Sequence, residues 1–297
     1  MRSKEAIRRS NMSPKEAILT AHCEDQAGLV AKISTWVYEH AGNILHLDEH
    51  VDTTTNRFFI RVHWSMGNFD LSEDQIAARF EADLAKELGL EFRLSFTDEI
   101  PRMAIFVTKL SHCIWDLLSR YESGELKVQI PLIISNHDKF RGLADRFEIP
   151  YHVFPITPAT KEAQEAKELD LLGEYNIDFI VLARYMQVLS DNFVSHYPNQ
   201  IINIHHSFLP AFAGARPYHR AYERGVKLIG ATAHYVTPEL DEGPIIEQDT
   251  IRVSHRDSIP DLVRTGRDLE KVVLSRAVRL HVNKQVIVHG GRTLVFD

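Results

Sequence analysis

Residues 200–210 read QIINIHHSFLP. Ile201, Ile202 and Ile204 form a nearly unbroken apolar run, and Pro210 with the small, flexible AFAGA after it ends the run. Such a stretch predicts a buried strand, and strands without polar alternation belong in parallel sheets covered on both faces. The polar residues then stand out. Asn203 and His205 lie two positions apart, so on an extended backbone their side chains point to one side. In open α/β sheets ligands bind beyond the carboxyl ends of strands, and this strand ends there with an amide and two imidazoles.

The same pattern extends in both directions. MAIFVTK (103–109), VQIPLIISN (128–136), YHVFP (151–155) and IDFIVLA (177–183) read as apolar strands. Helices are predicted through CIWDLLSRY (113–121) and over 139–147, 161–172 and 191–196. KLIGATAHYV (227–236) and PIIEQDTIRV (244–253) predict an antiparallel extension, followed by a long helix over about 259–284 and a hairpin in VIVHGGRTLVF (286–296). Strand–helix alternation of this kind defines a Rossmann-like, mostly parallel α/β unit over residues 102–297.

A second pattern precedes it over residues 15–97. AILTAHC (17–23) is strand-like, and Leu29, Val30, Ile33, Trp36 and Val37 then recur at helical spacing, with Asp25 as predicted N-cap and Gly42 as stop. ILHLDEHVD (44–52) and RFFIRVHWS (57–65) alternate apolar and polar residues around the turn TTTN (53–56). A helix over 73–88 and the strand LEFRLSF (90–96) complete a ferredoxin-like βαββαβ unit, and the polar TDEIPR (97–102) marks its boundary. The run DQAGLVAKIS, EHAGNILHLDEHVD, RFFIRV resembles an ACT domain, a small regulatory module. That resemblance implies an amino-acid effector bound near Asp25, Gly28, Leu29 and Asn43 between paired copies, and hence a homo-oligomer, a dimer or tetramer.

Composition narrows the function classes. With a net charge of −7 and no basic run, nothing in the chain of 297 residues points to nucleic acid. Two cysteines, Cys23 and Cys113, give no disulfide framework and no paired metal spacing, and are expected to be reduced thiols of a cytoplasmic protein. The opening MRSKEAIRRSNMSPKE lacks the apolar core of a signal peptide, and no run approaches a membrane span of about 20 apolar residues. Sixteen histidines are mostly scattered, so position must decide which of them act.

At the strand end, an amide beside an imidazole suits acyl chemistry: one steadies a developing oxyanion, the other moves a proton. A carboxylate that orients the imidazole is available in YVTPELDEGPII (235–246), where Asp241 precedes Gly243 and Pro244. Taken alone, Asp241 reads better as a turn residue. LARYMQVLS (182–190), INIHHSFLP and HYVTPELDEGPII together resemble the folate-dependent formyltransferase family in content, order and spacing. The resemblance implies a catalytic trio of Asn203, His205 and Asp241. It also implies a pterin pocket framed by Tyr185, Met186, Gln187 and Leu189 and by the loop from Val236 to Leu240. Apolar walls with free backbone groups suit a flat heteroaromatic ring; Met186 and Leu189 would otherwise serve as core packing.

Members of that family that transfer to glycinamide ribonucleotide hold its phosphate on a glycine-rich turn after the first strand. Here the turn reads TKLSHCIWDLL, with Ser111, His112 and Cys113 in place of glycines, so the backbone cradle is missing and only Lys109 or His112 could meet a phosphate. His206 also replaces the Pro that transferases commonly carry after the catalytic His. With the ACT-like module, these departures point to water as acceptor. The implied reaction is hydrolysis of 10-formyltetrahydrofolate to formate and tetrahydrofolate, feeding purine synthesis and balancing one-carbon folate pools, with no metal or other cofactor. The alternatives are a formyltransferase with an amine acceptor, a metal-dependent hydrolase using His205, His206, His219, His234 and Asp241, and a catalytically silent amino-acid sensor. No His-Glu-x-x-His or paired-Cys motif supports the metal reading.

Overall fold

The structure is a computed structural model, described here for residues 15–157, 159–211 and 217–296. The charged opening segment and all of AFAGA but Ala211 lie outside the described residues. The chain divides between Glu99 and Ile100 into two compact units.

The first unit runs β1 (Glu16–Glu24), α1 (Leu29–Glu39), β2 (Asn43–Asp52), β3 (Arg57–Ser65), α2 (Glu73–Phe80) and β4 (Glu91–Phe96). Its antiparallel sheet has the order β2-β3-β1-β4, the ferredoxin-like arrangement. Leu29, Ile33, Trp36 and Val37 of α1 face the core, joined there by Ile60, Val62, Trp64, Ile76 and Phe80. Three expectations are corrected. Val30 is exposed, since it lies off that stripe. The N-cap is Gly28 at φ 90°, not Asp25, because the chain needs a left-handed residue immediately before the helix. Over 73–88 the helix is interrupted by a π-helical turn at Glu81–Ala85, whose Asp83 accepts a hydrogen bond from Trp36 Nε1 at 3.0 Å. Gly42 does follow α1. The left-handed residue of that helix end is Ala41, and the Gly42 amide donates back to Val37 at 2.8 Å.

The second unit contains β5 (Arg102–Val107), α3 (His112–Glu122), β6 (Gln129–Ser135), α4 (Arg141–Arg146), β7 (Tyr151–Val153), α5 (Lys161–Glu174), β8 (Phe179–Leu182), α6 (Asp191–Ser195) and β9 (Ile201–His205). After these come α7 (Pro217–Arg224), β10 (Leu228–Tyr235), β11 (Ile245–Arg252), α8 (Ile259–Val282) and the hairpin β12 (Val286–His289) and β13 (Arg292–Val295). Seven strands form one sheet in the order β11-β10-β9-β8-β5-β6-β7. The five from β9 to β7 are parallel, and β10 and β11 are antiparallel.

The continuous apolar strands are explained by burial on both faces. Met103, Ile105, Val181, Ile202 and Ile204 pack with α3 and α8, while Ala104, Phe106, Ile180, Leu182 and Ile201 pack with Leu172 and Phe193 on the opposite face. Removing one such Leu or Ile side chain costs about 2–5 kcal/mol. In register, Phe106 pairs with Leu182, Leu182 with Asn203 and Asn203 with His234, so the polar groups of β9 and β10 sit where the parallel strands end.

Candidate active site

The alternation that buries Ile202 and Ile204 against α8 turns Asn203 and His205 toward the other face. His234 lies opposite Asn203 and projects beside it. The loop after β10 folds back over this face, and Asp241 reaches His205, with Nδ1 to Oδ1 at 3.1 Å. His234 Nδ1 is 2.8 Å from the Tyr235 carbonyl, which can only accept, so this nitrogen carries the proton. Burial lowers the His234 pKa, so the ring is neutral and its Nε2 accepts from Asn203 Nδ2 at 3.2 Å. One amide N–H of Asn203 is thereby committed and the second is free for a ligand.

His205 gives its Nδ1 to Asp241, and its buried Nε2 has no partner among the described residues. The Asp241 carboxyl is held below its ordinary value, chiefly by the hydrogen bond from His205 against the cost of burial. An ionised acid, an imidazole with an uncommitted nitrogen and an oriented amide therefore converge. Such a set can donate to an oxyanion and move one proton.

Backbone strain clusters around this set. Arg184, Met186 and Asp241 adopt left-handed conformations at φ 64°, 54° and 61°, which non-glycine residues rarely do. Of the segment expected to frame a ring, Tyr185 and Leu189 are buried in the core, Met186 is exposed and Gln187 is half-buried. Met186, Gln187 and the adjoining Val188 present the outward-facing side chains, with backbone between them. Val236 packs partly on the same core face, and Leu240 is exposed at the loop tip. Beneath the segment, Tyr185 Oη donates to the Glu168 carboxylate at 3.3 Å and Gln164 Nε2 to the same oxygen at 3.0 Å. Burial raises the Glu168 carboxyl to about 7, with the Gln164 and Tyr185 hydrogen bonds opposing that rise.

In the first unit the expected effector residues do not converge within one chain. Asn43 pairs with Ser65, and Ser65 with Glu16, at one end of the sheet. Glu24, next to Asp25, pairs with Arg57 at the other. Leu29 points into the core.

A second polar cluster lies on the α8 side of the large sheet. Buried Glu270 accepts from Tyr218 Oη at 2.7 Å and from His112 Nε2 at 2.8 Å, with Arg184 Nε at 3.4 Å. Burial alone would raise the Glu270 carboxyl, but His112, Arg184 and Tyr218 outweigh it and hold it lowered. Ligand-type atoms of His112, Cys113 and Glu270 lie within 4.8 Å of one another. Both carboxylate oxygens are already engaged, and the neighbouring guanidinium opposes a cation.

Sequence reasoning gave His234 no role beyond the metal alternative and passed over Glu270, Arg184 and Tyr218. The available signal was an acid on the apolar face of α8, one helical turn beyond a mid-helix Gly266.

A parallel sheet carrying an amide and an imidazole at one strand end, met by a carboxylate from the next loop, defines a formyl-transfer fold. The model of the formyl transferase family matches residues 101–278. A curated relative from Synechocystis sp., named formyltetrahydrofolate deformylase, is 54% identical over 280 residues, covering 94% of this chain and 98% of its own. The crystal structure of a formyltetrahydrofolate deformylase from Pseudomonas syringae superimposes with a TM-score of 0.93 at 42% identity, covering 100% of this chain and 99% of that one. The chain therefore belongs to the formyltetrahydrofolate deformylase family. A glycinamide ribonucleotide transformylase structure from Symbiobacterium toebii aligns with only 69% of this chain, at TM-score 0.63 and 30% identity, while 98% of its own length is used.

Proposed function

We propose that this chain hydrolyses 10-formyltetrahydrofolate to formate and tetrahydrofolate. The observation that carries the reading is the 3.1 Å contact between His205 and Asp241, made beside an amide with one uncommitted N–H. Water attacks the formyl carbon while Asn203 Nδ2 and protonated His205 Nε2 donate to the developing oxyanion. Asp241 steadies the imidazolium. As the C–N bond breaks, His205 hands its proton to the departing folate nitrogen. The positive charge needed at the oxyanion comes from His205, so no resident metal or cofactor is required, and activity is expected to survive chelation.

The pterin ring would lie against Met186, Gln187 and the Val236–Leu240 loop, with Tyr185 and Leu189 supporting that segment from below. Transfer to glycinamide ribonucleotide is disfavoured because the turn before α3 lacks glycines and its His112 is tied to Glu270 at 2.8 Å. Residues 15–97 form the regulatory module and 102–297 the catalytic one. Paired copies could bring the Asp25–Gly28–Leu29 end of one chain toward Asn43 of the next, making an amino-acid effector site in a dimer or tetramer. Among the described residues no helix is long and apolar enough to cross a membrane. With two unpaired cysteines, that supports a cytoplasmic enzyme supplying formate for purine synthesis. The test is to mix purified protein with 10-formyltetrahydrofolate and no acceptor amine. Formate should appear in step with tetrahydrofolate, and no release would refute hydrolysis.

A further inference from the structure

His206 follows the catalytic imidazole directly, and the proposed chemistry leaves it unused. It stands just past the end of β9, which closes at His205. Its ring centroid lies 5.1 Å from that of His205 and 6.0 Å, edge-on, from that of Tyr218. Tyr218 is fixed by its hydrogen bond to Glu270 at 2.7 Å, and the fit is close: a Cβ on Gly266 would lie 2.1 Å from the Tyr218 hydroxyl. His206 also borders a largely apolar cavity of about 380 Å³ shared with Ser207, Phe208, Tyr218 and Gly230.

Most polar neighbours of His206 are committed. Tyr218, Arg184 and His112 all serve Glu270, Ser207 Oγ donates to the Ala211 carbonyl, and Thr232 Oγ1 donates to the Ser207 carbonyl. The Nδ1 of His206 is buried and takes no hydrogen bond among the described residues. Leaving such a buried atom unpaired is costly, which calls for a use. Burial first, and then the Arg184 charge, press the ring toward its neutral form with a pKa of about 3, so its lone pair stays available.

Water differs from an amine acceptor in having no phosphate or ring by which to be held. The folate-side loops lie on the His205 face, and a nucleophile adds perpendicular to the carbonyl plane. The His206 ring stands 5.1 Å from that of His205, next to the place where His205 grips the carbonyl. Resting on the hydrolytic reading above, we propose that His206 is a positioning residue for the attacking water, which donates a hydrogen bond to Nδ1 and so aims an oxygen lone pair at the formyl carbon. The water oxygen bonds to carbon as the carbonyl π pair moves to oxygen. The C–N pair then departs to the folate nitrogen, which takes a proton from His205. One proton of the attacking water replaces it on His205, and the other leaves with formic acid, which ionises in solvent.

The test compares His206→Leu, which removes the acceptor, with His206→Asn, whose amide oxygen reaches nearly the same point as Nδ1. Formate release by His206→Leu should fall by about 100-fold in kcat with KM for 10-formyltetrahydrofolate little changed, whereas His206→Asn should stay within about tenfold of wild type. With hydroxylamine as acceptor, a nucleophile strong enough to need no such aim, His206→Leu should form formylhydroxamate within about threefold of wild type. Hydrolysis and hydroxylaminolysis falling together, His206→Asn behaving like His206→Leu, or His206→Leu hydrolysing normally would each overturn the assignment. Absence of formate with the wild-type protein itself would instead strike the hydrolytic reading.

Discussion

Gly243 lies so close to the Tyr235 carbonyl that a Cβ on it would come within 1.7 Å of the oxygen. That approach lets the Tyr235 amide donate to the Pro244 carbonyl at 2.9 Å and closes the loop from both ends. Within the closed loop Asp241 takes its left-handed turn and its carboxylate meets His205. The Asp-x-Gly-Pro order is thus mechanical: the glycine permits the approach, and the approach delivers the acid.

Gly243→Ala should displace Asp241 while sparing the core beneath. A shift of about 1 Å at a catalytic group can cost up to about 100-fold, so formate turnover should drop at least tenfold while the circular dichroism spectrum is retained. Unchanged turnover would show that the loop tolerates reopening.

Asp241→Asn removes the ionised partner of His205. Turnover should fall by about 100-fold or more. The stability effect carries a pH signature. The folded carboxyl sits below its ordinary 3.8, so its contribution is full above about pH 4 and is lost as pH falls through the depressed value. The gap between wild type and variant in urea melts should therefore be constant from pH 5 to 6 and shrink towards pH 3. A gap that widens in acid would contradict the pairing.

Glu168 predicts the opposite trend. Its folded value near 7 stands above an ordinary 4.5, so the native state holds a proton that the unfolded chain releases across that window. Stability falls as pH rises through it. Glu168→Gln should stabilise the protein by about 2 kcal/mol at pH 8 and by almost nothing at pH 4, measured as the shift in denaturation midpoint. Equal shifts at both values would show that burial does not hold the proton on.

Glu270→Ala leaves Arg184, His112 and Tyr218 buried without their common acceptor. Breaking a buried ionic cluster from one side costs about 3–5 kcal/mol, so the midpoint should move strongly. A shift below about 1 kcal/mol would mean that the cluster relaxes into solvent.

How far these features were legible in the sequence follows from their range. The strand and helix order was readable because apolar runs and periodic stripes are local properties. Asn203 and His205 were visible as a pair because one strand carries both. Asp241 was nameable only through a motif, since 35 intervening residues hide its contact with His205. His234 was obscured for another reason: its role is set by register against Asn203, which no single stretch encodes. Glu270 reaches His112 across 158 positions, and only its place on the apolar face of α8 hinted at a partner. The N-cap at Gly28 was misassigned because Asp25 has the right chemistry, whereas backbone handedness decides the start of α1.

The most direct measurement is the single-turnover rate of formate release from 10-formyltetrahydrofolate, without any acceptor amine, for wild type and Asn203→Ala. Wild type should release formate in full, and the variant should do so about 100-fold more slowly while binding the folate with similar affinity. Equal rates for the two, or no formate from either, would contradict a carbonyl gripped by Asn203 and His205 and cut by water.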